Sequence, residues 1–238
     1  PEYSGSFLDK IVEGLLVLLP PAALLGPWAG SGRVFGYRIL VVLLVGCAVT
    51  GWIYPIWVRR FSRAACAIVV VAVAWAVTGV VGAMRLGPRR DLSSLMGAGL
   101  ALAGAWSVAR LISDRHIRRE RALRDVAIGW AVAVWVGAPL AVWEILTARH
   151  LGTYADGAWR NHPGLYRQPA TWLTNPNLYA VFLAVGSVWV GVVGVRSATR
   201  WVRIAAIATA VTGLGLLLAT DSRIVYACLL YTSPSPRD

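Results

Sequence analysis

Two segments of the chain carry side chains that could bind a phosphate group. The first is the segment 148–177, which contains Arg160 and Arg167 and ends in the triplet Asn175-Pro176-Asn177. An arginine guanidinium binds a phosphate through two parallel hydrogen bonds, so both arginines are candidates for this chemistry. Simple solvation of two loop arginines is the competing interpretation.

The triplet Asn175-Pro176-Asn177 is also a signal for a helix start. Asn is a favoured N-cap residue, and Pro fits the first helical position because its missing N–H would have no partner there. A helix N-terminus offers free N–H groups and positive potential to an anion. The triplet therefore predicts a helix start, with anion binding by Asn175 and Asn177 as the functional interpretation.

The second segment is Asp221-Ser222-Arg223, near the C-terminal end of the chain. Asp221 or Ser222 could cap a following helix, and Arg223 would then lie at its entrance. A cap followed by an arginine that reaches toward the membrane surface is the simpler interpretation. Phosphate binding by Arg223 and Ser222 is the functional one.

Few other side chains offer chemistry. Glu144 lies deep in an apolar stretch, where it could pair with a loop arginine, although a structural role is favoured for an isolated carboxylate. His150 and His162 lie in the segment 148–177, and nothing in the sequence orients either as a base. The sequence contains no Asp-x-Asp pair or carboxylate cluster, so we expect neither a metal site nor a cofactor.

The composition indicates which elements position these residues. Apolar residues make up 58% of the chain and 24 glycines add about another 10%, against roughly 45–50% in ordinary globular proteins. The charged residues collect between long uncharged runs, which a soluble fold would leave exposed. Three cysteines cannot form a disulfide scaffold. The sequence predicts an all-α, polytopic membrane protein.

A helix needs about 20 apolar residues to cross a bilayer. Runs of that kind predict seven complete spans and an aborted eighth that starts at Ile224. The seven spans are 11–29, 37–57, 65–86, 92–112, 126–147, 178–195 and 201–219.

The distribution of arginine predicts the orientation of these spans. Of the 23 basic residues, 22 are Arg, and their largest cluster lies in 109–124, at the end of the fourth span and after it. Counting span ends, 13 basic residues lie on the side of the connections after the second, fourth and sixth spans, and 9 on the other side. Because cytoplasmic loops carry an excess of basic residues, these connections should be cytoplasmic. We therefore expect a multi-pass protein of the bacterial inner (cytoplasmic) membrane, with the N-terminus inside and the loop 148–177 outside.

Cysteine labelling can test this orientation. In a variant without native cysteines, Ser113→Cys and Gly157→Cys should react with an impermeant thiol reagent from opposite sides of the membrane. Labelling of both positions from one side would contradict the predicted topology.

The last residues differ from the rest. Residues 228–238 lose the Ala, Val and Gly that dominate the preceding sequence and resemble the translation of a transposase adapter used in short-read sequencing. We interpret residues 1–227 as a single integral membrane domain, the N-terminal part of a longer protein, and 228–238 as a non-native tail.

Two of these motifs together resemble the O-antigen ligase and O-antigen polymerase superfamily of bacterial membrane glycosyltransferases. In that family a stretch with Arg, small residues, an aromatic residue and Pro-Asn leads into a membrane helix. The stretch Arg167-Gln-Pro-Ala-Thr-Trp-Leu-Thr-Asn-Pro-Asn177 is similar, with Ala170 where the family usually has Gly. The family's later Thr-x-Ser-Arg is matched by Thr220-Asp221-Ser222-Arg223.

The resemblance covers about 140–226 and implies a GT-C-like fold and a donor glycan linked to undecaprenyl pyrophosphate, with a lipid or glycan acceptor. Its implied function is transfer or polymerisation of glycan at the outer face. The lack of an Asp-x-Asp pair favours a metal-independent reaction, and the position of the arginines beside apolar spans argues against nucleic acid as a partner. The implied donor-binding residues are Arg167, Asn175, Asn177, Ser222 and Arg223. The residue type of Arg160, in the same loop, adds it as a further substrate-binding candidate. The family's catalytic His and further Arg lie in a later loop, so we expect the catalytic residues beyond this chain and a fragment that is inactive alone.

Three other functions compete with glycan transfer. A flippase for the same lipid-linked glycan would also need arginines for the pyrophosphate, although flippases line a cavity with charges on several helices. A polytopic transporter or channel, or a noncatalytic membrane subunit, would fit the same hydropathy.

Overall fold

A computed structural model describes residues 7–26, 30–31, 34–53, 99–100, 102–108, 119–150, 167–173 and 175–223. Helices dominate these residues, as the composition predicts. They are α1 (Phe7–Leu25), α2 (Gly36–Ile53), α3 (Arg119–Thr147), α4 (Pro176–Val195) and α5 (Arg200–Ala219). Residues 102–108 are also helical, Thr171–Leu173 form a 3-10 helix, and Gly30–Ser31 and Val34–Phe35 are two-residue strands.

Three of the helices are long and apolar enough to cross a membrane. They comprise Glu120–Thr147 of α3, all of α4 and all of α5, and they correspond to the fifth, sixth and seventh predicted spans. The first predicted span overlaps α1, which carries Asp9, Lys10 and Glu13 in its first two turns. The second overlaps α2, whose apolar stretch Gly36–Val49 is shorter. The third predicted span and much of the fourth lie outside the described residues.

The helix boundaries differ from the predicted ones where local signals outweigh hydropathy. Helix α3 begins at Arg119, seven residues before the predicted span, because Arg, Glu, Ala and Leu all favour helix in a polar stretch. Helix α1 ends at Leu25, four residues before its predicted end. The next residue, Gly26, has φ +49, the left-handed conformation that commonly terminates helices.

The described residues fall into two units. Unit 1 comprises residues 1–19 and 34–125, and unit 2 comprises residues 20–33 and 126–238. Within unit 1, a side chain at Gly104 would contact Val41 of α2, with 3.2 Å between the added Cβ and Cγ2. Ser107, on the same short helix as Gly104, is buried and donates its hydroxyl to the carbonyl of Ala103.

Unit 2 has its core between α3, α4 and α5. The aromatic ring of Trp130 lies 4.4 Å from that of Phe182, centroid to centroid, and fills the space beside Gly186. The indole of Trp135 donates a 2.9 Å hydrogen bond to Thr209 of α5. The buried residues of this core include Leu24, Ala133, Val134, Tyr179, Leu183, Leu216 and Leu217.

Helices α4 and α5 approach closely through small residues. A Cβ at Gly194 would overlap the methyl group of Ala206, and a Cβ at Gly213 would overlap the hydroxyl of Ser187. The later residue of α4 pairs with the earlier residue of α5, so the two helices run antiparallel. Close backbone contact through Gly, Ala and Ser is typical of helices packed inside membranes, where dispersion contacts replace the hydrophobic driving force.

The surfaces of α4 and α5 that face away from the core are apolar. Exposed residues on these helices include Leu178, Val181, Val185, Val188, Val192, Trp201, Val211 and Leu218. Such a continuous apolar surface is unfavourable in water and matches the hydrocarbon of a bilayer.

Candidate functional site

One group of polar residues of unit 2 lies where three helices end or begin. Helix α3 ends at Thr147 and α5 ends at Ala219, while α4 begins at Pro176. Because α4 runs antiparallel to α5, its start lies beside the end of α5. We call the residues 144–150, 167–177 and 220–223 the polar end; among them, residue 174 lies outside the described residues.

Asn175 caps α4 as the sequence predicts. It has extended backbone angles, φ −143 and ψ 119, and its Oδ1 accepts a 2.9 Å hydrogen bond from the N–H of Asn177. Pro176 occupies the first helical position. Thus the helix-start interpretation of the Asn-Pro-Asn triplet is confirmed.

The structure brings the two sequence motifs into direct contact. The hydroxyl of Ser222 donates a 2.9 Å hydrogen bond to Oδ1 of Asn177, across 45 positions of sequence. Ser222 is 2% exposed, so its hydroxyl is shielded from water, and the hydrogen bond to Asn177 replaces the lost water partner. The side chain of Asn177 is thereby fixed at the start of α4.

The Thr220-Asp221-Ser222-Arg223 motif forms a sharp turn. Thr220 is the C-cap residue that follows α5, and it donates its hydroxyl to the carbonyl of Leu217. Asp221 has φ +51, which ends α5 in the left-handed conformation. Asp221 therefore terminates one helix instead of capping the next, and Ser222 is the residue directly before the helical Arg223.

Glu144 is fully buried at the polar end. Its Oε2 accepts hydrogen bonds from two consecutive backbone N–H groups, at 2.8 Å from Ala170 and 2.9 Å from Thr171. A buried carboxylate is unfavourable unless hydrogen bonds replace its water, and hydrogen bonds to a charged group are the stronger kind. The carboxylate thus ties the end of α3 to the segment that precedes α4.

The second oxygen of Glu144 faces a histidine. Nδ1 of His150 lies 3.2 Å from Oε1 of Glu144, and the histidine side chain is only 10% exposed. The sequence suggested no group close to His150, and the structure places the carboxylate of Glu144 there. Within the described residues, no arginine pairs with Glu144; the histidine and two backbone N–H groups take the place of the arginine partner considered from sequence.

Three residues at the polar end have a left-handed backbone. They are Ala148 with φ 53, Thr171 with φ 53 and Asp221 with φ 51. The conformation is least favourable for Thr171, because its β-branched side chain crowds the backbone there. Its N–H is one of the two donors to Glu144, so the buried carboxylate stabilises a strained segment.

The two arginines of the motifs are exposed and make no hydrogen bond or ion pair with described residues. Arg167 begins the described segment 167–173, and Arg223 follows Ser222 directly. Both guanidinium groups are therefore open to a ligand. Arg160 and His162, also predicted from sequence, lie outside the described residues.

Sequence reasoning missed the link between Glu144 and Ala170. A signal for it was present: a single carboxylate within an apolar helix requires donors, and the nearest polar segment follows it in the chain. The identity of the donors was not readable, because they are backbone groups.

Taken together, the polar end contains the N-terminus of α4, two exposed arginines on the adjoining segments, and buried hydrogen bonds that hold these segments. This arrangement suits an anionic ligand. The chain matches no family model, no curated protein and no solved structure.

Proposed function

We propose that the chain is part of a membrane glycosyltransferase of the O-antigen ligase and polymerase type, acting on an undecaprenyl-pyrophosphate-linked glycan. The observation that carries the proposal is the hydrogen bond between Ser222 and Asn177. It joins the two segments whose residues resemble the family's motifs, although hydropathy alone would not require them to meet.

The chemistry of the donor explains the residue types. The acceptor hydroxyl oxygen attacks the anomeric carbon, the bond from that carbon to the pyrophosphate oxygen breaks, and undecaprenyl pyrophosphate leaves with the added negative charge. The hydroxyl proton passes to a base. Arg167 and Arg223 would bind the pyrophosphate and stabilise its developing charge, which allows transfer without a metal ion.

The proposed topology places the polar end at the outer face of the bacterial inner membrane. The connection between α4 and α5 supports it, because Arg196, Arg200 and Arg203 at that opposite end are exposed. Basic residues of this kind favour the cytoplasmic side. Seven spans, a GT-C-like arrangement and a cytoplasmic N-terminus complete the proposal.

Deletion of the gene in the source cell tests the proposed activity. Loss of a transferase should leave the lipid-linked glycan accessible to a glycosidase added outside, with the glycan no longer polymerised or joined to its acceptor. Accumulation of the donor at the inner face would contradict a transferase and support a flippase. Unchanged glycan linkage would contradict both.

The contact between the motifs gives a mutational prediction. We expect Ser222→Ala and Asn177→Ala each to lower transfer about three- to tenfold, because either change frees the other side chain from its position. The double variant should transfer glycan no more slowly than the less active of the two single variants, because the effects of changing two residues in contact are not additive. The rate of transfer, measured in membranes from strains edited at the native locus, would check this. A loss in the double variant equal to the product of the two single losses would contradict it.

A further inference from the structure

The segment 167–173 has little regular structure to hold it. Its described regular structure is limited to 3-10 conformation at Arg167 and in Thr171–Leu173, where the N–H of Leu173 donates a hydrogen bond to the carbonyl of Ala170. Pro169, Ala170 and Thr171 are nevertheless completely buried. Something other than a helix or sheet must fix this segment.

Glu144 is the side chain that holds it. One carboxylate oxygen accepts the N–H groups of both Ala170 and Thr171, and Thr171 keeps a left-handed backbone while it donates. The hydrogen bonds cross 26 and 27 positions of sequence. They therefore fix the segment relative to α3 and not merely within itself.

His150 completes the surroundings of the carboxylate. Its Nδ1 lies 3.2 Å from the oxygen that the backbone donors leave open. Within the described residues no arginine forms an ion pair with Glu144, so neither Arg167 nor Arg223 is held by this carboxylate.

We infer that Glu144 is a positioning residue: its carboxylate holds the segment 167–173 against the end of α3 and so sets the place of Arg167. The inference rests on the proposed function for its consequence, because Arg167 is the residue proposed to bind the donor. Arg167 lies only three positions before Ala170, which limits how far it moves while the hydrogen bonds are intact.

A labelling experiment measures directly whether Glu144 keeps the segment 167–173 in place, without any assay of transfer. Gln168→Cys is introduced into the purified protein without native cysteines, and its reaction with a soluble maleimide is followed. We expect Glu144→Ala to speed this reaction at least about tenfold, because two charge-assisted hydrogen bonds are lost and the segment opens locally. Glu144→Gln should have a smaller effect, since the amide oxygen still accepts both N–H groups.

Leu146→Ala is the matched control for labelling. Leu146 lies two residues from Glu144 on the same helix and is 76% exposed, so its loss should leave the reaction rate unchanged. Size-exclusion chromatography confirms that each variant is folded. Unchanged labelling in folded Glu144→Ala, or in folded Glu144→Gln where the alanine variant fails to fold, would overturn the inference.

Transfer from the lipid-linked glycan extracted from the source cells tests the consequence for Arg167. Glu144→Ala should lower transfer about tenfold in strains edited at the native locus, and Glu144→Gln should lower it less. In a strain that already carries Arg167→Ala, adding Glu144→Ala should have no further effect. Equal losses in both backgrounds would show that Glu144 does not act through Arg167. Full activity of Arg167→Ala alone would instead contradict the proposed function, which the labelling result does not depend on.

Discussion

Alanine at Arg223 or Arg167 is expected to lower glycan transfer by roughly 10²-fold or more. The physical reason is the loss of a charge-assisted, two-point contact with the pyrophosphate as its negative charge develops in a site with little water. Both guanidinium groups are exposed and make no hydrogen bond or ion pair with described residues, so their replacement removes no contact that the described fold uses. The measurement is the initial rate of transfer at matched expression, with each change made at the native locus.

Two further variants separate binding by a planar guanidinium from a general effect of charge. Arg223→Lys should recover only part of the activity, because lysine keeps the charge but loses the paired donors. Arg200→Ala, at the start of α5 and far from the polar end, should retain near-normal activity. Wild-type rates for Arg223→Ala and Arg167→Ala would show that neither residue binds the donor.

The second large effect concerns stability. Gly194→Ala should destabilise the packing of α4 on α5 by about 1–3 kcal/mol, which is typical of overpacking. The added methyl group would overlap that of Ala206, and an alanine methyl has no alternative rotamer to adopt. The helices themselves would have to separate. Thermal unfolding of the purified protein in detergent would report the change as a lower Tm.

Gly191→Ala is the matched control for this prediction. Gly191 lies one turn earlier on α4, and its added Cβ would lie 3.6 Å from the methyl group of Ala210, an ordinary van der Waals distance. Its Tm should be unchanged or slightly higher, because alanine favours helix over glycine. Equal Tm values for the two variants would contradict the close packing of α4 and α5 at Gly194.

The later part of the fold was predictable because its signals are local. The apolar runs of α4 and α5 have the length that a bilayer requires, and the structure places their ends within two residues of the predicted spans. Asn175 and Pro176 predict the start of α4, because Asn is a favoured N-cap residue and Pro fits the first helical position. Where a polar stretch also favours helix, as at Arg119, hydropathy alone misplaced the boundary.

The interior of the polar end was less predictable, because its contacts join distant parts of the chain. The bond from Ser222 to Asn177 and those from the backbone to Glu144 depend on how three helices pack. The sequence identified Asn177, Ser222 and Glu144 as notable residues, but it did not predict the contact between Asn177 and Ser222, and the partner it suggested for Glu144 was a loop arginine. Donors that belong to the backbone leave no trace in residue type, so Ala170 and Thr171 could not be identified.

A photo-crosslinking experiment tests the central claim, that the polar end binds a lipid-linked pyrophosphate. The probe is undecaprenyl pyrophosphate bearing a short glycan with a photoreactive group beside the phosphates, added to the purified protein in lipid nanodiscs. We predict adducts in the peptides containing 167–177 and 220–223, which unlabelled lipid-linked glycan competes away and which Arg167→Ala combined with Arg223→Ala abolishes. Adducts confined to the 196–203 connection, or adducts that persist in the double variant, would contradict the account.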